Sequence, residues 1–186
     1  MAKKERGKII TLELFEEMIN KLESGSQEEA LLCLLYITGC RISEALMLKI
    51  SDVTIDGEDI AINIPTLKTR KHIKYSYRTL FIGKNTPYLK TFIRYISNNT
   101  PADVFTGKIF GINRFQAWNI ITRVSNNQFT CHDLRHSRAT ILAEKGYTAF
   151  QLQAWFGWRR MDMAERYVKL SLIAREVIKQ MKDNIL

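Results

Sequence analysis

The stretch His132-Asp133-Leu134-Arg135-His136 opens a run of helical spacing in the last third of the chain. It places an imidazole three residues before a guanidinium, and side chains at this offset share one face of a helix. A guanidinium pairs with two oxygens of a phosphate, and an imidazole can carry a proton near neutral pH. The stretch therefore predicts a helix that presents phosphate-directed chemistry on one side.

Further polar motifs lie on both sides of this stretch. Upstream, Thr38-Gly39-Cys40-Arg41-Ile42-Ser43-Glu44 supplies a second arginine at the junction of two predicted helices, and Lys68 lies between the two arginines. Downstream come Phe156-Gly157-Trp158 and Arg166-Tyr167-Val168, where the tyrosine follows the tryptophan by nine residues. Two arginines, a lysine, a histidine and a tyrosine are the groups needed to break and rejoin a phosphodiester without a metal.

Together these motifs resemble those of the tyrosine recombinases, the integrase family of phages, plasmids and archaeal elements. Arg41 lies in a segment that resembles the family's T-G-x-R-x-x-E, and His132 to Arg135 resembles its H-x-x-R. Gly157-Trp158 resembles its G-[HW], and Tyr167 has the family's spacing from it. H-x-x-R alone occurs by chance, whereas the ordered set over nearly the whole chain is specific. The resemblance implies site-specific cutting and rejoining of DNA.

The resemblance also implies a role for each group. Tyr167 would attack the scissile phosphate and form a 3′-phosphotyrosine, while His132 accepts the tyrosine proton. Lys68 would protonate the departing 5′-oxygen. The groups that stabilise the pentavalent transition state would be Arg41, Arg135 and Trp158. Because the phosphotyrosine keeps the bond energy, neither a metal ion nor another cofactor is expected.

Trp158 and Lys68 differ from the other positions in how closely they match the family. Trp158 departs from the commoner histidine, and its indole N–H can donate a hydrogen bond but cannot shuttle a proton. Lys68-Thr69 resembles a K-T pair that many relatives carry in a β-turn, and it lies in the basic loop Pro65 to His72 between two predicted strands. Lys71 and Lys74 are competing candidates for the lysine, and a solvated basic loop is the plain structural alternative.

Other charged residues are expected to support the site. Glu44 lies three residues after Arg41 and is expected to orient it, which is compatible with a structural ion pair between the two. The residues expected to contact the DNA backbone are Arg70, Lys71, His136 and Arg138. For His136 and Arg138, packing is the alternative.

The overall charge favours a polyanionic partner. The 186 residues carry a formal net charge of +9, which points to nucleic acid before an anionic membrane. Double-stranded DNA is the expected partner, and no apolar stretch is long enough to span a bilayer. Three cysteines without a C-x-x-C pair suggest neither a disulfide framework nor a zinc site. A reducing, cytoplasmic location at the nucleoid fits this composition.

The predicted fold class is α+β, mostly helical with a small three-stranded antiparallel sheet. Residues 1–186 are expected to form one recombinase catalytic domain, without the N-terminal domain that clamps DNA in relatives. β-Branched and aromatic residues predict strands at Val53 to Ile55, Ile60 to Ile64 and Ile73 to Ile82. Helices are predicted from Leu12 to Leu22, from a Ser26–Glu29 capping box to Thr38, and at Ser43 to Leu48, Thr86 to Ser97, Ile112 to Ser125, His132 to Lys145 and Thr148 to Phe156.

The C-terminal part is predicted to form two more helices. One carries Tyr167, and a separate one runs from about Leu172 to Lys182. The apolar residues along one side of the last helix are Leu172, Ile173, Val177, Ile178 and Met181. The family suggests that this helix docks on a neighbouring subunit of a tetrameric synapse, and packing on its own domain is the alternative.

Two other functions remain open at this point. A type IB topoisomerase uses closely related chemistry and would relax supercoils without sequence preference. A catalytically idle DNA-binding relative is the non-enzyme alternative, against which the intact set of residues argues.

Overall fold

Helices dominate the structure, a computed structural model that describes residues 9–56, 58–66, 76–98 and 106–183. The chain divides into two units, residues 1–137 and 138–186. A three-stranded antiparallel sheet lies in the first unit, and the described elements of the second are helical. The predicted α+β class is therefore confirmed.

The helix α2 (Gln27–Thr38) is the central element of the first unit, and from Ala30 onward all its residues are buried. The Ser26 hydroxyl begins the helix by accepting a hydrogen bond from the Glu29 N–H at 3.1 Å. The Glu29 carboxylate accepts from the Gly25 N–H at 2.7 Å and not from the Ser26 N–H. Only half of the predicted capping box therefore forms.

Packing on one side of α2 comes from the helix α1 (Leu12–Ile19), whose Phe15 ring stacks on Tyr36 with centroids 3.9 Å apart. The other end of α2 leads to the site. It ends at Gly39, whose φ of 62° lies in the left-handed region that glycine adopts without strain. The short helix α3 (Ile42–Ala45) follows, ending earlier than the predicted Leu48.

The sheet contains all three predicted strands, in the order β1 (Val53–Asp56), β2 (Asp59–Thr66) and β3 (Ser76–Gly83). A single turn of 3-10 helix at Ile50–Asp52 precedes it. Alternate residues of β2 and β3 supply its buried face, as the period of two requires. These buried residues are Ile60, Ile62, Ile64, Leu80 and Ile82. The last paired residues are Thr66 and Ser76, and the intervening 67–75, including the predicted strand start at Ile73, lies outside the described residues.

Three further helices follow along the chain: α4 (Leu89–Asn98), α5 (Arg114–Val124) and α6 (Cys131–Glu144). They correspond to the helices predicted from periodicity. The start of α6 is fixed by Asp133, whose carboxylate accepts hydrogen bonds from the Thr130 N–H and hydroxyl, both at 2.7 Å. This cap determines where His132, the second residue of α6, lies.

The second unit is built around α7 (Ala149–Phe156) and α8 (Asp162–Asp183). The prediction of two helices after Trp158 is wrong, because α8 runs without interruption through Tyr167 and Leu172. No glycine or proline interrupts this segment, and the Ser171 hydroxyl donates to the Ala143 carbonyl at 3.2 Å and does not cap a new helix.

None of the helices in the described ranges is long and apolar enough to cross a membrane.

The core of the second unit can be tested with two phenylalanines of the same helix. Phe156 is fully buried beside Leu152 and Trp158, whereas Phe150 is 70% exposed. Phe156→Ala should lower the free energy of unfolding by about 3–5 kcal/mol, and Phe150→Ala by less than about 0.5 kcal/mol. Urea unfolding followed by tryptophan fluorescence measures both. Equal losses would contradict the packing described for α7.

Candidate active site

Arg41 lies at the junction of α2 and α3, where Glu44 holds it in two ways. The Arg41 backbone N–H donates to Glu44 Oε2 at 2.9 Å, and its Nη1 donates to Oε1 at 2.9 Å. The Glu44 side chain is completely buried, whereas that of Arg41 is 45% exposed. The carboxylate therefore anchors one side of the guanidinium and leaves the rest open to solvent.

Arg135 lies on α6 and is 95% buried, with 5% of its surface exposed. Its Nη1 donates a hydrogen bond to the Gly39 carbonyl at 2.8 Å, at the end of α2 where unpaired carbonyls accumulate. Burial, and then the nearby positive charge of Arg41, lower the pKa of Arg135 to about 10. The side chain is still a cation at neutral pH, held in a place that disfavours its charge.

Arg78 on β3 is a residue of the site that the sequence analysis missed. Its Nη2 donates to Glu44 Oε2 at 2.8 Å and its Nη1 to Thr66 Oγ1 at 3.0 Å. One sequence signal could have found it. Arg78 has the same strand parity as Leu80 and Ile82, so the period of two places it on the buried face of the sheet. A charged residue there requires a buried partner.

Glu44 is the only carboxylate that the described contacts place among these three arginines. Burial alone would raise the pKa of the Glu44 carboxyl, but Arg78 and then Arg41 hold it below the usual value. Within the described contacts, Arg41 and Arg78 share this carboxylate and Arg135 lies within electrostatic reach of both, so positive charge predominates here. Such a site is suited to an oxyanion, for example the dianionic pentavalent transition state of a phosphodiester.

A cleft of about 290 Å³ opens beside this cluster. It brings together three of the residues singled out from the sequence, Arg41, His132 and Arg135. The other residues that line it are Ile42, Ser43, Arg114, Trp118, Thr130 and Cys131. Burial raises the pKa of the Cys131 thiol, which disfavours the thiolate form.

The second unit holds Trp158 and Tyr167, whose rings stack almost parallel at 8° with centroids 5.3 Å apart. Phe156 also stacks on Trp158, with ring centroids 4.7 Å apart. Trp158 follows Gly157, which ends α7 in the left-handed conformation at φ 61°. Aromatic packing therefore fixes the half-buried Tyr167 ring on α8.

The remaining predicted residues fall in other places. Lys68, Arg70 and Lys71 lie outside the described residues, as does the competing Lys74. His136 is half-buried on α6. The Arg138 guanidinium lies 5.7 Å from the centre of the Trp155 ring, a cation–π contact within the second unit. Throughout the described ranges, no three His, Cys, Asp or Glu side chains group together in a way that could hold a metal ion.

A sequence model of the phage integrase family matches residues 8–172. The chain belongs to the phage integrase family. This finding confirms the resemblance inferred from the motifs. Among curated relatives, the tyrosine recombinase XerC of Rickettsia rickettsii (strain Sheila Smith) is 27% identical in an alignment of length 180 that covers 91% of this chain and 56% of XerC. The chain spans about half the length of the curated relatives it matches.

Solved structures of family members share the fold. The XerA recombinase gives a TM-score of 0.72 at 21% identity, covering 97% of this chain and 66% of XerA. The XerH site-specific recombinase, bound to its palindromic difH substrate after cleavage, gives 0.71 at 19% identity, covering 95% of this chain and 53% of XerH. The mostly helical architecture with a three-stranded sheet is thus that of a recombinase catalytic domain.

The excess of positive charge predicts that the cleft binds a simple oxyanion. Inorganic sulfate at about ten times its Kd should stabilise the protein by roughly 1.4 kcal/mol through this site. Sulfate also stabilises proteins non-specifically, so the measured quantity is the difference in the melting-temperature gain between wild type and Arg41→Ala.

A matched control is Arg123→Ala, which removes a 65% exposed arginine paired with Glu28 in the same unit. This variant should gain as much from sulfate as the wild type. If Arg41→Ala also keeps the full gain, the cleft does not bind the anion.

Proposed function

We propose that this chain performs the DNA cleavage and rejoining of a site-specific recombinase or integrase, through a 3′-phosphotyrosine intermediate. The observation that carries the proposal is the cleft where Arg41, His132 and Arg135 converge beside an excess of positive charge. Membership of the phage integrase family supports it. So does XerH, whose structure contains its DNA substrate after cleavage. The substrate of this chain is double-stranded DNA.

Arg41 and Arg135 bind the non-bridging oxygens of the scissile phosphate. In the pentavalent transition state these oxygens gain negative charge, and donors that are fixed in advance stabilise that state more than the ground state. Arg135 is fixed by the Gly39 carbonyl and Arg41 by Glu44. Trp158 adds its indole N–H as a further donor.

Tyr167 supplies the nucleophile. Its oxygen forms a bond to phosphorus as the bond to the 5′-oxygen breaks, leaving a 3′-phosphotyrosine and a free 5′-hydroxyl. His132 accepts the tyrosine proton, and Lys68 donates a proton to the departing oxygen. One phosphoester replaces another, so a 5′-hydroxyl from a second strand reverses the steps and rejoins DNA without a metal ion or ATP.

Recombination also needs contacts beyond one active site. We assign DNA backbone contacts to Arg70, Lys71, His136 and Arg138, and self-association on DNA to α8. Leu170, Leu172 and Ile173 of α8 are each more than half exposed. The other side chains of the predicted apolar side, Val177, Ile178 and Met181, are not among those described. A tetrameric synapse is the assembly we propose.

A library of nicked suicide duplexes tests the function directly. The protein is incubated with the library, covalent complexes are isolated under denaturing conditions, and the attached DNA is sequenced. Site-specific recombination predicts a narrow set of trapped sequences. Covalent attachment without sequence preference would indicate a topoisomerase, and an absence of attachment would indicate a DNA-binding relative.

Tyr167→Phe should abolish covalent attachment and leave DNA binding nearly unchanged, because only the attacking oxygen is lost. The matched control is Tyr147→Phe, which removes the hydroxyl of another tyrosine of the same unit, packed against Trp155. Denaturing gels with end-labelled DNA measure attachment, and gel shifts measure binding. A denaturant-resistant complex formed by Tyr167→Phe would falsify the assignment of the nucleophile.

Lys68→Ala should slow cleavage by about two to four orders of magnitude if Lys68 is the general acid. With sulfur in place of the bridging 5′-oxygen, most of the rate should return, because a thiolate leaves without a proton. Arg41→Ala and Arg135→Ala should show no such recovery.

Lys71→Ala and Lys74→Ala are the matched controls for this measurement. Single-turnover cleavage of the oxygen and sulfur substrates distinguishes the three lysines. Recovery of Lys71→Ala or Lys74→Ala with sulfur, while Lys68→Ala stays slow, would transfer the acid role to that lysine.

A further inference from the structure

Arg78 on β3 donates a hydrogen bond to Glu44, the carboxylate that also holds Arg41. Glu44 is fully buried and receives hydrogen bonds on both of its oxygens. Oε1 accepts from Arg41 Nη1, whereas Oε2 accepts from the Arg41 backbone N–H and from Arg78 Nη2. The second terminal nitrogen of the Arg78 guanidinium, Nη1, donates to Thr66 Oγ1 at 3.0 Å. The orientation of the carboxylate is thus fixed by two arginines, Arg41 just before α3 and Arg78 on β3.

The sharing of oxygens determines what Arg41 can do. A carboxylate with one arginine partner favours a bidentate pair, in which two guanidinium N–H groups bind both oxygens. With Arg78 on Oε2, Arg41 reaches the carboxylate by Nη1 alone, and among the described residues its guanidinium makes no other contact. Its remaining N–H groups stay available on the side that lines the cleft.

We propose that Arg78 is a positioning residue for the strand-transfer reaction: it occupies Glu44 Oε2 so that Arg41 presents its remaining donors to the scissile phosphate. This inference rests on the proposed function. The rival explanation is that Arg78 only compensates the buried charge of Glu44 and so stabilises the fold. The two explanations differ in whether the effect of Arg78 passes through Arg41.

A double-mutant cycle separates them. The probe is the duplex recovered from the suicide library, and the variants are Arg78→Met, Arg41→Ala and their combination. Misplacing a catalytic group by an ångström costs on the order of 100-fold, so Arg78→Met should slow cleavage by about that factor. Added to Arg41→Ala, it should cost nearly nothing more, because the residue through which it acts is already absent.

A second substrate tests the same point chemically. A methylphosphonate at the scissile position replaces a charged non-bridging oxygen with an uncharged methyl group, so the reaction depends less on a well-placed arginine. The defects of Arg78→Met and of Arg41→Ala should both shrink on this substrate, and neither should shrink with bridging sulfur. Arg123→Met, at an exposed arginine paired with Glu28, should cleave all substrates like wild type.

Thr66→Val gives the same readout if Arg78→Met does not fold, since it removes the second anchor of Arg78 without exposing the charge of Glu44. It should show a smaller defect of the same pattern. Additive losses that are equal on phosphate and methylphosphonate would overturn the proposal and leave a structural role. Recovery of the Arg78→Met cleavage rate on the bridging-sulfur substrate would also overturn the proposal, because it would place the effect of Arg78 at the leaving group. If wild type itself forms no covalent complex, the proposed function fails first and this inference with it.

Discussion

The buried carboxylate of Glu44 is the interaction on which the arrangement of the cleft depends. A carboxylate without exposed surface is expensive unless its charge is compensated and its oxygens accept hydrogen bonds. Both conditions are met by residues from different elements, Arg41 before α3 and Arg78 on β3. These contacts compensate the buried charge of Glu44. They also connect α3 to the sheet and orient the Arg41 side chain.

The electrostatics of the first unit follow from this arrangement. Among the described residues, Arg41, Arg114 and Arg135 line the cleft. Burial, and then the positive charge of Arg41, lower the pKa of Arg135. A value of about 10 still leaves Arg135 charged at neutral pH.

Much of this could be predicted from the sequence because it depends on short-range patterns. Periodicity and caps located α2, α6 and α7, and the offset of three placed His132 and Arg135 together on α6. That Arg41 lines the same cleft was expected from the resemblance to the ordered family motifs and not from local spacing. Strand parity marks Arg78 as a residue of the buried face, but its partner Glu44 lies 34 residues away, a separation that local spacing does not reveal. The sequence predicted a break between the Tyr167 helix and a last helix from about Leu172, whereas a single helix runs through both, and its Ser171 hydroxyl donates to the Ala143 carbonyl on α6. The choice among the lysines of residues 67–75 stays a prediction.

Gly39 carries two requirements at one position. Its φ of 62° ends α2, and its carbonyl is the acceptor that holds Arg135 Nη1. A residue with a side chain would be strained in this conformation, and relief of that strain would rotate the peptide and turn the carbonyl away. Two separate requirements therefore restrict substitutions at position 39: the backbone conformation and the hydrogen bond to Arg135. Substitutions elsewhere could compensate for the lost stability of such a variant, but they would not restore the hydrogen bond that orients Arg135. A variant at position 39 could therefore fold and still have a misplaced Arg135.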